Sequence, residues 1–356
     1  MHSKWYLIWV CDKTTSASTR ILIIAPSWLG DAVMSHSLIR RIARDTPNGI
    51  VDVFASKPLE DIYRCMPEVN EVLLNPFQHG ELNFLHRIRH GLLIKERSYN
   101  VTYVLPNSFK SALIPFFARI PKRIGYTGEA RYGLLNSRKY LDKISTPLLA
   151  DRYQQLASSD AVQANNSKLN PVLSVSDGEL NATKKLFGLD VKKPYVCLCP
   201  GAEFGPAKRW PSQHFAKLAE LIGDEHQNIV IVGGPNDIDI GNEVQQCAHV
   251  SVFNLAGKTT IKQAIHILAG SRYVVTNDSG LMHVAAALGR QITALFGSSS
   301  PTFTPPLSES ANIISRSLSC SPCYRRECPL GHTQCLIDIH PKDVFEKISQ
   351  IISKAN

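Results

Sequence analysis

The chain has 356 residues, 44% hydrophobic and 19% charged, a length and composition that suit two globular domains with full cores. No apolar run approaches the roughly 18 residues of a membrane-spanning helix, so we expect any contact with a bilayer to be peripheral. The formal net charge is +9, and residues 1–160 supply most of it, with 21 Lys and Arg against 14 Asp and Glu.

Residues 1–20 precede the first predicted strand. The segment W-Y-L-I-W-V-C at residues 5–11 follows Lys4 and precedes a small polar run, so a signal peptide is one interpretation. Because this apolar core is at the lower length limit for a signal, we expect residues 1–20 to be a dispensable N-terminal extension.

The following segment alternates strands and helices. Strands are predicted at residues 21–25, 50–54, 71–74, 101–105 and 123–126, with helices at 32–44, 58–65, 82–97 and 108–118. Such alternation predicts a parallel sheet covered on both faces. We assign this first Rossmann-like domain to residues 21–175.

A cluster of basic residues lies within this first domain. Between Arg87 and Lys143 there are 12 Lys and Arg and only three acidic residues. The cluster is either an ordinary solvated face or a surface for nucleic acid, anionic lipid headgroups or a phosphorylated glycan. No RNA-binding aromatic signature or helix-turn-helix pattern accompanies it, which disfavours nucleic acid.

Asn and Pro residues interrupt the pattern between about 165 and 193, where we place a domain boundary. A second series occupies residues 190–340, with strands at 195–199, 228–232, 252–255, 273–276 and 291–296 and helices at 211–222, 237–247 and 261–269. The sequence thus predicts two similar α/β domains with a cleft between them. A last helix, within residues 341–356, could fold back onto the first domain.

Several strand-to-helix junctions carry residues suited to ligand binding, and open α/β folds bind ligands at this edge of the sheet. In S-W-L-G-D at residues 27–31, Asp31 could act as a general base on a hydroxyl or could simply cap the helix. In C-P-G-A-E-F-G-P-A-K-R-W-P at residues 199–211, Lys208 and Arg209 could neutralise a diphosphate leaving group. The dinucleotide fingerprint G-x-G-x-x-G is absent.

Two later junctions complete the set. G-G-P-N-D at residues 233–237 could line a nucleotide base or ribose. In N-D-S-G-L-M-H at residues 277–283, a helix opens at the end of a strand and directs free N–H groups toward a phosphate. Asp278 or Ser279 could cap this helix, and His283 lies one turn beyond Ser279 on the same face. An ordinary capped, buried helix is the alternative.

Together, these motifs and N-L-A-G-K-T-T at residues 254–260 resemble the ADP-heptose:lipopolysaccharide heptosyltransferases, glycosyltransferase family 9, in order and at family spacing. The resemblance covers essentially everything after residue 20. The mid-chain loop and the cysteine-bearing tail are most similar to the branch that adds the second inner-core heptose. The resemblance implies the GT-B fold, with the acceptor bound mainly by the N-terminal domain and the donor by the C-terminal one.

By matching position, the resemblance implies that Asp31 is the general base and that Lys208 contacts the donor diphosphate. The implied donor-binding residues are Gly201, Lys208, Asp237, Asp278, Ser279, Gly280 and His283, and the implied acceptor-binding residues are Ser27, Trp28 and Gly30. Residues 1–20 depart from the family, whose chains start close to the first strand.

The implied reaction is inverting transfer of L-glycero-D-manno-heptose from ADP-heptose to a phosphorylated heptosyl-Kdo2-lipid A. The enzyme would be cytoplasmic, peripherally associated with the inner face of the inner membrane, and would need no cofactor or nucleic-acid partner. Three alternatives stay open: a family member acting on a neighbouring core position, a GT-B-like sugar-nucleotide epimerase, and a non-enzymatic module that binds an anionic glycan or nucleic acid.

Four cysteines near the C-terminus, Cys320, Cys323, Cys328 and Cys335, have the spacing C-x2-C-x4-C-x6-C. Four thiolates could hold a structural zinc ion, which a cytosolic chain favours over disulfides. The second spacing is shorter than in the usual two-knuckle arrangement, so free or oxidised thiols are the preferred interpretation and zinc is the weaker one.

Overall fold

A computed structural model describes residues 18–78, 80–158, 169–223 and 228–352. Most of the predicted N-terminal extension, including the apolar segment at residues 5–11, lies outside these ranges. Among the helices in the described ranges, none is both long enough and apolar enough to span a bilayer.

The first half of the chain forms a six-stranded parallel sheet in the order β3-β2-β1-β4-β5-β6. Its strands are β1 Arg20–Ile24, β2 Ile50–Ser56, β3 Glu71–Asn75, β4 Val101–Val104, β5 Lys122–Tyr126 and β6 Ser137–Lys139. The accompanying helices are α1 Leu29–Asp45, α2 Glu60–Arg64, α3 Phe84–Lys95, α4 Phe109–Phe117 and α5 Leu149–Gln155. The next helix, α6 Asp177–Leu186, packs against the second half, where Thr183 bonds His266. The central strand β1 is apolar after its first residue because helices cover both of its faces.

The second half repeats the same topology, with the parallel order β12-β11-β10-β7-β8-β9. Its strands are β7 Tyr195–Cys199, β8 Asn228–Ile231, β9 Val252–Asn254, β10 Tyr273–Asn277, β11 Gln291–Phe296 and β12 Ala311–Ser315. Its helices are α7 Ser212–Gly223, α8 Ile238–Cys247, α9 Ile261–Ala269, α10 Gly280–Ala287, α11 Gln334–Ile337 and α12 Pro341–Ile352. The predicted architecture of two doubly wound parallel sheets is confirmed.

Each sheet has one point at which the strand order reverses, between β1 and β4 in the first and between β7 and β10 in the second. In open α/β sheets, ligands bind in the crevice outside the carboxyl ends of the strands at such a point. The junction 27–31 follows β1, and the junctions 199–211 and 277–283 follow β7 and β10. The three strongest motifs therefore lie at the two switch points.

The two halves contact each other through α1 and α10. A β-carbon at Gly280 would lie 2.9 Å from the β-carbon of Leu29, so glycine permits this close approach. One apolar cluster runs through the contact and includes Met34 from the first half and Val284 from the second. This packing brings the carboxyl edges of the two sheets together.

The last helix corrects one prediction. Helix α12 does not fold back onto the first sheet, because its buried Val344 and Ile348 belong to the same apolar cluster as Trp210 and Phe215 of the second half. The Trp210 indole N–H also donates to the carbonyl of Ile339, just ahead of α12, at 2.9 Å. The apolar face of α12 is therefore buried against α7 and its neighbours.

Five elements were not predicted, namely β6, β12, α5, α6 and α11. Strand β6 is polar and three residues long, and β12 is an edge strand beyond the expected last strand of its sheet. Helices α5 and α6 lie between the last strand predicted for the first domain and the first strand predicted for the second, and α11 lies in the cysteine-bearing tail. Edge strands carry a weak signal because only one neighbour and one partly covered face constrain their side chains.

Candidate active site

Asp31 lies at the carboxyl edge of the first sheet, in the first turn of α1. The helix begins at Leu29, three residues before the predicted start, so Trp28 occupies the N-cap position and the expectation that Asp31 caps the helix is wrong. No described residue hydrogen-bonds the Asp31 carboxylate, and burial raises its pKa from 3.8 to about 6. A carboxylate with a pKa near the working pH is suited to accept a proton from a substrate hydroxyl.

This pKa leads to a pH prediction. If Asp31 accepts the proton, kcat/KM should be constant above about pH 6 and should fall about tenfold per pH unit below it, because the protonated acid cannot act as a base. A pH–rate profile measured where the protein remains folded checks this. A profile that continues flat to pH 4.5 would contradict the role of Asp31.

A cleft of about 720 Å³ opens beside Asp31. It is lined from the β1 edge by Ser27, Trp28 and Asp31 and from the β4 edge by Asn107, Ser108, Phe109 and Lys110, with Tyr153 and others completing it. The Trp28 side chain is 49% exposed. An exposed aromatic ring and several polar groups around a carboxylate form a suitable wall for a sugar.

Gly30 faces the second half of the chain and is absent from the residues that line this cleft. A β-carbon at Gly30 would lie 2.8 Å from Cδ2 of His283 on α10. His283 is buried, and burial lowers its pKa to about 4, so the imidazole is neutral at pH 7. Gly30 therefore lies at the contact between the two halves, and its predicted contact with the acceptor stays a prediction.

This packing predicts the effect of a small substitution. Gly30→Ala should push α1 away from His283, displace Asp31 and reduce transfer by about 10- to 100-fold, since a misplacement of about 1 Å can be that costly. Removing the imidazole in Gly30→Ala/His283→Ala should recover part of the kcat. Measured kcat for the single and double variants checks this, and an active Gly30→Ala enzyme would contradict it.

Lys208 is held at the carboxyl edge of the second sheet by an ion pair. Its Nζ lies 2.5 Å from Oδ2 of the buried Asp278, and that oxygen also accepts a hydrogen bond from Ser299 Oγ at 2.5 Å. The Lys208 ammonium also lies 5.0 Å from the centre of the Phe204 ring. Asp278 thus orients the ammonium, which has three N–H donors and can use another for a phosphate.

Asn277 fixes the loop that carries Lys208. Its side-chain oxygen accepts from the Trp210 backbone N–H at 3.1 Å, and its Nδ2 donates to the Pro200 carbonyl at 2.7 Å. One buried amide therefore joins the end of β10 to both ends of the 200–210 loop. The sequence motifs around Lys208 and Asp278 form one structural unit.

Helix α10 starts directly beside this unit. Ser279 occupies the N-cap position in an extended conformation, but its side chain makes no capping hydrogen bond, and Asp278 is engaged with Lys208 instead. The predicted side-chain cap is therefore wrong. Because the first N–H groups of a helix lack intrahelical partners, the start of α10 offers donors and a positive dipole end to an anion.

Asp237 closes the other side of the 200–210 loop. Its Oδ2 accepts from the Gly234 backbone N–H at 2.9 Å, and burial raises its pKa. A β-carbon at Gly201 would meet the Asp237 carboxyl group at about 2.1 Å, so only glycine fits there. The structure thus places Gly201 against Asp237, and their role in donor binding stays a prediction.

The four C-terminal cysteines line one small cavity of about 20 Å³ together with His332. They are free thiols, and in the described part of the chain no three Cys, His, Asp or Glu side chains are arranged to hold a metal ion. Whether these thiols are free, oxidised or bound to zinc stays a prediction. The cavity lies against the 200–210 loop, because Ala207 also lines it.

Sequence reasoning missed four residues of this site. Ser299, which bonds Asp278, follows β11, and Asn107 and Lys110, which line the cleft, follow β4. The same rule that selected the other junctions would have found them, because they also lie at the carboxyl ends of parallel strands. Tyr153 in α5 had no comparable signal.

Comparisons with known proteins identify the family and agree with the fold. The profile of glycosyltransferase family 9 (heptosyltransferase) matches residues 87–334. The chain is 44% identical to lipopolysaccharide heptosyltransferase 2 of Escherichia coli strain K12, over 94% of this chain and 98% of that protein. It is also 44% identical to lipopolysaccharide heptosyltransferase 2 of Salmonella typhimurium strain LT2, over 94% and 99%. The solved structure of E. coli ADP-heptose lps heptosyltransferase II superposes with a TM-score of 0.86 at 42% identity, covering 94% of this chain and 99% of that chain.

Proposed function

Because the chain belongs to glycosyltransferase family 9, we propose that it transfers heptose from ADP-heptose to the first heptose of the lipopolysaccharide inner core. The chain is a glycosyltransferase of the heptosyltransferase type with the GT-B fold. Two relatives that are each 44% identical over nearly their full length are both named for the second heptosyltransferase step, which supports this choice of acceptor.

One observation carries the proposed mechanism. Asp31 directly follows Leu29 and Gly30, and these two residues contact Gly280 and His283 at the start of α10. Asp31, the proposed base, and the N-terminus of α10, the proposed anion-binding group, are therefore adjacent to the same contact between the two halves. This arrangement suits a reaction in which a hydroxyl is deprotonated on one side while a phosphate leaves on the other.

In this mechanism, Asp31 takes the proton of the acceptor hydroxyl, and the oxygen attacks the anomeric carbon from the face opposite ADP. The new C–O bond forms as the bond to the diphosphate oxygen breaks, so the configuration at that carbon inverts. Lys208 and the N–H groups of α10 stabilise the charge that develops on ADP. These groups supply the positive charge that the leaving group needs, so the proposed reaction requires no metal cofactor.

The two substrates divide between the two sheets. Gly201, Asp237, Lys208 and the start of α10 form the proposed ADP-heptose site. Ser27, Trp28 and the cleft beside Asp31 form the proposed acceptor site. The acceptor is a phosphorylated heptosyl-Kdo2-lipid A, so we place the reaction at the inner face of the inner membrane with the enzyme bound peripherally.

The test uses acceptors of different length. The purified protein is incubated with ADP-heptose and with lipopolysaccharide truncated after zero, one or two inner-core heptoses, and ADP release is measured. We expect release only with the one-heptose acceptor. Release with the zero-heptose acceptor, or conversion of ADP-heptose without any acceptor, would contradict the proposal and favour a neighbouring core step or an epimerase.

A further inference from the structure

The outer face of α3 is unusually apolar. Leu85, Leu92 and Leu93 are 77%, 49% and 54% exposed, although leucine is normally buried in a folded domain. Leu85 and Leu92 are two helical turns apart and share one face, and Leu93 lies beside them. Exposed leucines clustered on a surface helix indicate a binding surface, and the exposed Arg89 lies between Leu85 and Leu93 on the same face.

The apolar surface continues onto α4. The ring of Phe84 packs edge-to-face against Phe117 at 6.0 Å, and Phe117 packs in the same way against Phe116 at 5.3 Å. Phe84 and Phe116 are themselves 45% and 37% exposed. We call Phe84, Leu85, Leu92, Leu93 and Phe116 the α3–α4 patch.

Positive charge surrounds this patch. Residues 82–123 include eight Lys and Arg and a single acid, Glu96. Arg89, Lys95, Arg119 and Lys122 are exposed. The guanidinium of Arg123 lies 5.5 Å from the centre of the Phe116 ring, so cationic groups reach the edge of the aromatic cluster itself.

The patch also adjoins the acceptor cleft. Leu82, in the turn ahead of α3, and Phe109, the first residue of α4, both line the cleft that holds Asp31. The buried Arg87 fixes this junction by donating to the Leu82 carbonyl at 2.6 Å and to the Lys110 carbonyl at 3.3 Å. The apolar surface and the mouth of the cleft therefore form one continuous face.

From these contacts we infer that the α3–α4 patch docks the chain on a bilayer containing anionic lipids. The leucines enter the boundary between headgroups and acyl chains, and the surrounding cations bind the headgroups. The occupant is a lipid surface because an apolar face with a basic rim complements acyl chains beneath anionic headgroups. The inference rests on the proposed function in one respect: the cleft then faces the membrane from which a lipid-linked acceptor enters.

Vesicle binding tests the docking surface directly. The protein is sedimented with vesicles of phosphatidylcholine alone or of phosphatidylcholine with phosphatidylglycerol, at low and high salt. We expect binding to the anionic vesicles that weakens with salt and that falls at least tenfold in Leu85→Gln/Leu92→Gln. Leu186→Gln is the matched control, because Leu186 is 67% exposed on α6, outside the patch. Equal binding by the double variant and the control would overturn the inference.

A second readout separates this inference from the proposed function. Transfer is measured to an acceptor embedded in vesicles and to the same acceptor after removal of its acyl chains. The double variant should lose activity only on the embedded acceptor, and loss on both would contradict a docking role. If the unaltered protein used neither acceptor, the proposed function would fail while vesicle binding still decided the role of the patch.

Discussion

Asp31→Asn is expected to lower kcat by about 10²- to 10⁴-fold, because the asparagine amide cannot accept the proton of the acceptor hydroxyl. Donor affinity should be unchanged, since the proposed ADP-heptose site lies on the second sheet. Single-turnover transfer and calorimetric titration with ADP-heptose measure the two quantities separately. Transfer at the unaltered rate would remove Asp31 from the mechanism.

The same substitution should stabilise the protein at neutral pH. The pKa of Asp31 is raised by burial to about 6 from 3.8, so the folded state disfavours the charged form. Removing that charge should stabilise the fold by at most about 3 kcal/mol above pH 6, and the gain should fade as pH falls toward 4. Melting curves at pH 8 and pH 5 check this, and equal melting temperatures of the two proteins at pH 8 would contradict it.

Lys208→Met is expected to lower kcat by about 10²- to 10³-fold, the loss typical when one preorganised donor to a developing charge is removed. It should also destabilise the fold by about 3 to 5 kcal/mol, because Asp278 would be left as a buried carboxylate without its cation. Steady-state kinetics with saturating ADP-heptose and thermal melting give the two effects.

A double variant separates these two roles of Lys208. Lys208→Met/Asp278→Asn removes the unpaired charge, so it should recover most of the stability but none of the transfer. Lys262→Met is the matched control, because Lys262 pairs with Glu179 on an exposed surface and should leave kcat unchanged. Recovery of transfer together with stability would reduce Lys208 to a structural ion pair.

The central part of the fold was predictable because buried parallel strands carry the strongest local signal. Strands β1 and β10 contain apolar runs, at Ile21–Ile24 and Val274–Val275. Each strand is followed by a strand-to-helix junction that contains Gly, Ser and Asp. The edge strands β6 and β12 lack such runs, and each pairs with a single neighbouring strand, so few contacts constrain their side chains. The packing of α12 on α7 was likewise not predictable, because the residues of α12 do not indicate which of the two domains its apolar face contacts.

The sequence indicated several residues of the candidate site but none of the contacts between them. Asp31, Lys208 and Asp278 were identified from junction chemistry and from resemblance, yet nothing local indicates that Lys208 pairs with Asp278 or that Gly30 packs on His283. Lys208 and Asp278 are 70 residues apart and meet because they follow neighbouring strands of one sheet, whereas Gly30 and His283 are about 250 residues apart and meet where the two halves pack together. Contacts between residues so far apart in the chain are determined by the tertiary structure.

The most direct measurement is a crystal structure of the Asp31→Asn variant with ADP-heptose bound. The mechanism predicts the diphosphate within about 3 Å of Lys208 Nζ and of a backbone N–H at the start of α10. It also predicts the anomeric carbon between the diphosphate and residue 31. A diphosphate bound away from Lys208, or residue 31 on the same side of the sugar as ADP, would contradict the mechanism.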